Sequence, residues 1–202
     1  MGLDFNADNV ALAQELARER GLANVEVVQG DARHTGYPGS SFDLVHARTL
    51  LINVPEPAGV VAEMARLTRT GGWAAAMEPD IPLTVCYPRL EAWERMAQLF
   101  RISVNSDGAD EAIGRRLPGL LRDAGLSDIG VEANMTVYPH GHSRRSVRAD
   151  LFRTLRGKIV ARGMASAAEL DEIDRAVRAH LDDSRTLVAH TSFMAWGRKL
   201  AA

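Results

Sequence analysis

The chain has 202 residues, enough for one domain with a sizeable core. Its 46% hydrophobic and 25% charged residues are those of an ordinary globular protein, and a net charge of −2 excludes the broadly basic surface that strong non-specific nucleic-acid binding needs. The single cysteine, Cys86, excludes an intramolecular disulfide, and no apolar run is long enough to span a bilayer. A cytoplasmic protein without nucleic-acid or membrane partners is expected.

Residues 1–80 alternate short apolar runs with helical periodicity, the βαβ rhythm of a parallel sheet covered by helices. Gly2-Leu3-Asp4-Phe5 reads as the end of a strand. Asn6 can cap the following helix, which turns Val10, Ala13 and Ala17 to one face and closes at Gly21. Residues 25–28 form a strand closed by Gln29-Gly30-Asp31-Ala32, and residues 42–47 form the next. Pro57 starts a helix with Val60, Met64 and Leu67 facing the core, and Gly71-Gly72 stops it. Residues 73–77 read as a buried strand ending at Glu78-Pro79-Asp80.

The second half has a different texture. Leu90, Trp93, Ala97, Phe100 and Val104 make a helical stripe, and a later helix ends at Ala124-Gly125-Leu126, a pattern that suits a Schellman closure. Residues 129–138 and 186–196 read as strands with two helices between them. The second helix starts at Ser166, with Glu169 completing a capping box. Residues 143–184 are thus a helical insertion, to be read either as a lid over an active site or as packing.

In an open parallel sheet, ligands bind at the carboxyl ends of the strands, so acids there matter. Asp4 can accept both hydroxyls of a ribose, or it can cap the helix that follows. Asp31 comes after a glycine that lets backbone approach a ligand, and can accept an adenine amine while the Ala32 amide donates to a ring nitrogen; it can equally form a turn. Separation by one helix and one strand makes the pair stronger than either acid alone. His46, His140 and His142 are candidate general bases, each also readable as a packing or surface histidine. Asp80 and Tyr87 follow a strand end and could contact substrate. His140-Gly141-His142 falls short of a metal site without further ligands, and Cys86 fits a buried small residue better than a nucleophile.

Gly2-Leu3-Asp4, Val28-Gln29-Gly30-Asp31-Ala32 and Phe42-Asp43-Leu44-Val45-His46-Ala47-Arg48 together resemble the class I S-adenosylmethionine (SAM) dependent methyltransferases. The runs from Leu50 to Pro57, Met64-Ala65-Arg66-Leu67, Gly71-Gly72 and Glu78-Pro79-Asp80 are similar to the small-molecule branch, which includes the ubiquinone and menaquinone biosynthesis enzymes. Residues 193–199 resemble that branch's last strand, and residues 139–185 match nothing in it.

The resemblance implies an α/β three-layer sandwich of the Rossmann-like methyltransferase type, with a two-helix insertion between the last two strands. It implies that Asp4 binds the ribose of SAM, that Phe5 packs near the adenine, and that Asp31 and Ala32 read the adenine edge. Ala47 and Arg48 would lie beside the methionine portion, and no general base is assigned. The family's opening strand and glycine-rich loop have no counterpart before Met1, so a single domain over 1–202, incomplete at its N-terminus, is expected. The gap would lie between the strands ending at Asp4 and Ala47. A fragment, a second chain or swapped element filling the gap in a dimer, and a rearranged sheet all remain open. The implied function is methyl transfer from SAM to O, N or C of a small-molecule acceptor in biosynthesis. The alternative is a relative that no longer methylates and acts as a cofactor-independent cyclase or isomerase, or as a non-catalytic binding partner.

Overall fold

The computed structural model describes residues 1–106 and 108–201. At its N-terminal side Gly2–Asp4 (β1) and Val27–Gln29 (β2) pair in parallel, joined by the helix Ala7–Glu19 (α1). The Asn6 side chain caps α1 by accepting the amides of Asp8 at 2.7 Å and Asn9 at 3.3 Å. Gly21, at φ +63°, turns the chain out of the helix, a conformation that costs glycine nothing. The second strand starts two residues later than the apolar run predicts. Val25 belongs to the preceding turn, where its amide donates to Leu22 O at 3.3 Å.

The larger sheet has the order β3-β4-β6-β5. Phe42–Arg48 (β3) runs parallel to Thr68–Tyr87 (β4) across the helix Pro57–Leu67 (α2). Leu187–Arg198 (β6) is antiparallel both to β4 and to the edge strand Ser127–Tyr138 (β5). The helices Glu91–Asn105 (α3) and Leu117–Asp123 (α4) follow β4; Val147–Thr154 (α5), Arg156–Ala161 (α6) and Ala167–Asp182 (α7) lie between β5 and β6. The expected α/β, Rossmann-like architecture is present.

Two cores follow from this arrangement. Ala74 and Ala76 of β4, Ala47 of β3 and Ala195 of β6 give a flat surface on which Val60, Val61 and Met64 of α2 and Leu120 and Leu121 of α4 pack. Beyond Asp80, β4 and β6 continue as an arm. Against that arm α3, α5, α6 and α7 build a second cluster containing Trp93, Met96, Phe100, Phe152, Ile159, Val177 and Val188. Two expectations are corrected here. The strand predicted to end at Asp80 runs on to Tyr87, because β6 pairs with both halves and an irregularity between Asp80 and Val85 accommodates Pro82. The first of the two helices expected between β5 and β6 is broken at Leu155 into α5 and α6, so the segment holds three.

Among the described residues no ladder joins β1 to β3. Between them lies a cleft of about 300 Å³, lined by Gly2 and Leu3 of β1 and by Leu44, Val45, His46 and Ala47 of β3, with Tyr37 and Met64 also in its lining. The two flanking strands therefore do not close up and pair directly. Leu44 is 59% exposed on this edge.

Candidate functional site

β1 and β2 bring their carboxyl ends side by side, with Asp4 opposite Gln29 and Asp31 two residues further on. Asp4 Oδ1 accepts the Asn6 amide at 2.8 Å, and Asn9 Nδ2 reaches both carboxylate oxygens at 3.4 Å. Asp4 thus braces the start of α1, whose cap is Asn6, and keeps free lone pairs. Phe5 is 77% exposed beside it. Asp31 forms the tight turn of the other alternative: its carboxylate accepts the Arg33 amide at 2.9 Å and the Arg33 guanidinium at 2.7 Å. The Arg33 hydrogen bonds hold Asp31 down to about pKa 2, so it is ionised at any physiological pH. A Cβ at Gly30 would stand 2.8 Å from Leu3 Cδ1, so the glycine gives this side chain of β1 its room.

At the end of β3, Ala47 is buried in the core and borders the cleft, whereas Arg48 is exposed and makes no ion pair among the described residues. The next residue, Thr49, has φ +51°, a left-handed conformation that a β-branched residue adopts only under constraint. Glu78 supplies the constraint. Fully buried on β4, its carboxylate accepts the amides of Leu50 and Leu51 at 2.8 Å and of Ile52 at 3.3 Å. Burial pushes its pKa up and the three amides pull it back. Sequence reading placed Glu78 only as a strand end. No spacing signals a contact between residues so far apart along the chain.

The remaining candidates disperse. Asp80 is fully buried and held by Arg115 Nη2 at 2.8 Å, with its Oδ1 also accepting the Leu83 amide at 3.2 Å, so it fixes the loop and is not free to meet substrate. Tyr87 is exposed at the far end of the arm, well past Met77. His46 lines the cleft. His142 caps the turn at Arg144 and His140 Nε2 contacts Asp182 O at 2.9 Å, both away from the ends of β1–β3. Burial lifts the Cys86 thiol to about 11, which keeps it protonated.

The adenosine half of a nucleotide-like cofactor fits the residues present: two carboxylates at adjacent strand ends, one near an exposed aromatic ring. The cleft between β1 and β3 is lined mainly by apolar side chains, and its one carboxylate, Glu63, is occupied by Arg66 and Thr35. The fold is that of a Rossmann-like α/β protein. Residues 1–76 match the family described as methyltransferase domain. A demethylmenaquinone methyltransferase of Geobacillus sp. (strain WCH70) is 29% identical over 144 residues, 65% of this chain and 62% of the relative. Among solved structures, a protein of Bacillus halodurans C-125 described as a methyltransferase superposes with a TM-score of 0.65 at 16% identity, over 98% of this chain and 82% of that one. Haemonchus contortus phosphoethanolamine N-methyltransferase 2, bound to phosphomonomethylethanolamine and S-adenosylhomocysteine, has a TM-score of 0.58 at 16% identity, over 99% of this chain and 43% of that one. The N-terminal part of the chain is thus similar in sequence to small-molecule methyltransferases, and its fold is that of methyltransferase structures. The chain spans about three fifths of the curated relatives it matches.

Proposed function

We propose that the chain binds SAM across the ends of β1, β2 and β3 and acts in the transfer of its methyl group to a small-molecule acceptor in cytoplasmic biosynthesis. The observation that carries this reading is the register of β1 on β2, which sets Asp4 and Asp31 on adjacent strand ends. Bound SAM supplies a methyl group already activated on a sulfonium. Asp4 accepts the ribose hydroxyls, Phe5 covers the adenine, Asp31 accepts the exocyclic amine and the Ala32 amide donates to the ring. Ala47 and Arg48, on the turn held by Glu78, border the methionine portion. Positioning and exclusion of water suffice for such a displacement, and a base is needed only for an acceptor that keeps its proton. Calorimetry with S-adenosylhomocysteine tests the reading. Asp4→Ala and Asp31→Ala should each weaken binding by roughly 1–3 kcal/mol, the cost of an unpaired buried partner. Unchanged affinity in both variants removes the assignment.

A second reading is favoured by the Arg33 guanidinium that already occupies both Asp31 oxygens. In it the chain no longer methylates, and serves as a cofactor-independent cyclase or isomerase or as a binding partner of an intact enzyme. Absence of S-adenosylhomocysteine binding by the unaltered chain would decide for this reading.

A further inference from the structure

The helical cap contains a buried charge that has no direct ion pair among the described residues. Arg148, in the first turn of α5, is 6% exposed. Its guanidinium carbon stands 5.5 Å from the centre of the Trp93 ring and 6.0 Å from that of Phe100, both on α3. Its Nη1 donates to Ile81 O at 3.0 Å, and its Nε is buried with no hydrogen-bond partner. Among the described residues no carboxylate comes within ion-pair distance of it. Burial lowers its pKa to about 10, so the charge is present at neutral pH.

Glu111, 5% exposed, lies alongside through a shared anchor. The Ile81 amide donates to Glu111 O at 3.0 Å, while the Ile81 carbonyl takes Arg148. One Glu111 oxygen accepts Arg101 Nε at 2.6 Å, and the other, Oε2, is buried without a partner. His190 on β6 adds a third buried atom without a partner, its Nε2. A buried donor, a buried acceptor and an imidazole nitrogen are therefore left open where the cap meets the arm of the sheet.

A buried ion without a direct ion pair costs several kcal/mol, and the Ile81 carbonyl, the nearby Glu111 charge and stacking on two rings offset only part of that. A methionine would pack against Trp93 and Phe100 without the cost. Unsatisfied buried groups of this kind call for an explanation, and place supplies one. Ile81 lies four residues past Met77, the partner of Arg48 at the end of β3, so the cluster stands at most roughly 13 Å along β4 beyond the strand ends, within reach of a small acceptor.

We propose that Arg148 receives an anionic oxygen group of the acceptor, a carboxylate or a phosphate. The Arg148 Nε–H donates to the anion, Glu111 Oε2 accepts a hydroxyl or ammonium hydrogen of the same molecule, and Trp93 and Phe100 flank its carbon skeleton. Naming this ligand the acceptor rests on the methyl-transfer reading; the binding of an anion does not.

The test is calorimetric titration of the chain with benzoate and with inorganic phosphate, without SAM. Saturable binding of one of them is expected, and the preferred probe distinguishes carboxylate from phosphate. Arg148→Met should weaken that binding at least tenfold while its melting temperature, without probe, equals or exceeds that of the unaltered chain. Arg148→Lys, which keeps the charge but loses Nε, should bind more weakly and remain folded. Binding of neither probe, equal binding by Arg148→Met, or a melting temperature several degrees lower in either variant overturns the proposal, the last by making the guanidinium structural. A parallel S-adenosylhomocysteine titration separates the two ideas: its failure with probe binding intact strikes the methyl-transfer reading and leaves the anion site standing.

Discussion

The amide of Leu51 donates to Glu78 Oε1 at 2.8 Å, joining the turn after β3 to the middle of β4 through a carboxylate that is fully buried. The same oxygen holds Leu50, and the left-handed Thr49 immediately before it depends on this clamp. Glu78→Ala leaves three amides without their acceptor, and a loss on the order of 3 kcal/mol is expected. Glu78→Gln, which keeps one accepting oxygen, should cost less. Urea denaturation of the two variants measures the difference, and equal stability of Glu78→Ala and the unaltered chain contradicts the clamp.

Glu63 and Glu78 respond to pH in opposite directions. Arg66 and Thr35 hold Glu63 down to about pKa 2, from an ordinary 4.5, so its contribution is present above pH 4.5 and is lost as pH falls towards 2. Burial raises Glu78, so its protonated form favours folding below pH 4.5, and that contribution fades as pH rises through the folded value. Glu63→Gln should therefore destabilise by about 1–3 kcal/mol at pH 7 and much less near pH 2. Denaturation at the two pH values checks it; a pH-independent deficit would show that packing, and not charge, is lost.

Gly130 on β5 faces Trp196 on β6, and a Cβ there would stand only 2.4 Å from the indole Cε2 and Cζ2. Gly130→Ala should cost about 1–3 kcal/mol, because neither the ring nor the strand can give way without disturbing the sheet. Gly119→Ala, with open space around its Cβ, is the control and should be at least as stable as the unaltered chain. Melting temperatures of the two variants decide this.

The cleft between β1 and β3 presents two strand edges whose amides and carbonyls have no ladder partner among the described residues. Several such groups at roughly 1–3 kcal/mol each are comparable with a total stability of about 5–15 kcal/mol. We expect a strand of a second copy to cover the gap in solution. Light scattering should report a dimer, with slow hydrogen exchange at the β3 amides that face the cleft. A monomer with those amides exchanging freely would contradict it.

Local signals were legible in the sequence and long-range ones were not. The Asn6 and Ser166 caps, and the Gly125 closure in which the Leu126 amide returns to Leu121 O at 3.1 Å, form as their residue types dictate. The acids at the ends of β1 and β2 were found because strand and helix periodicity alone locates a strand end. The contact of Gly30 with Leu3, a residue of another strand, and the run of β4 past Asp80 to Tyr87, which depends on pairing with β6, leave no local trace in the sequence. Arg148 carried no signal. A surface arginine and a buried one are the same letter, and only packing of α5 on α3 tells them apart.

β4 is twenty residues long and belongs to both cores: Ala74 and Ala76 lie under α2 and α4, while Ile81 and Cys86 lie under the helical cap. Between the two halves the ladder to β6 lapses, from Asp80 to Val85, and there Arg115 grips Asp80. One continuous strand therefore ties the Glu78 clamp to the helices that hold Arg148.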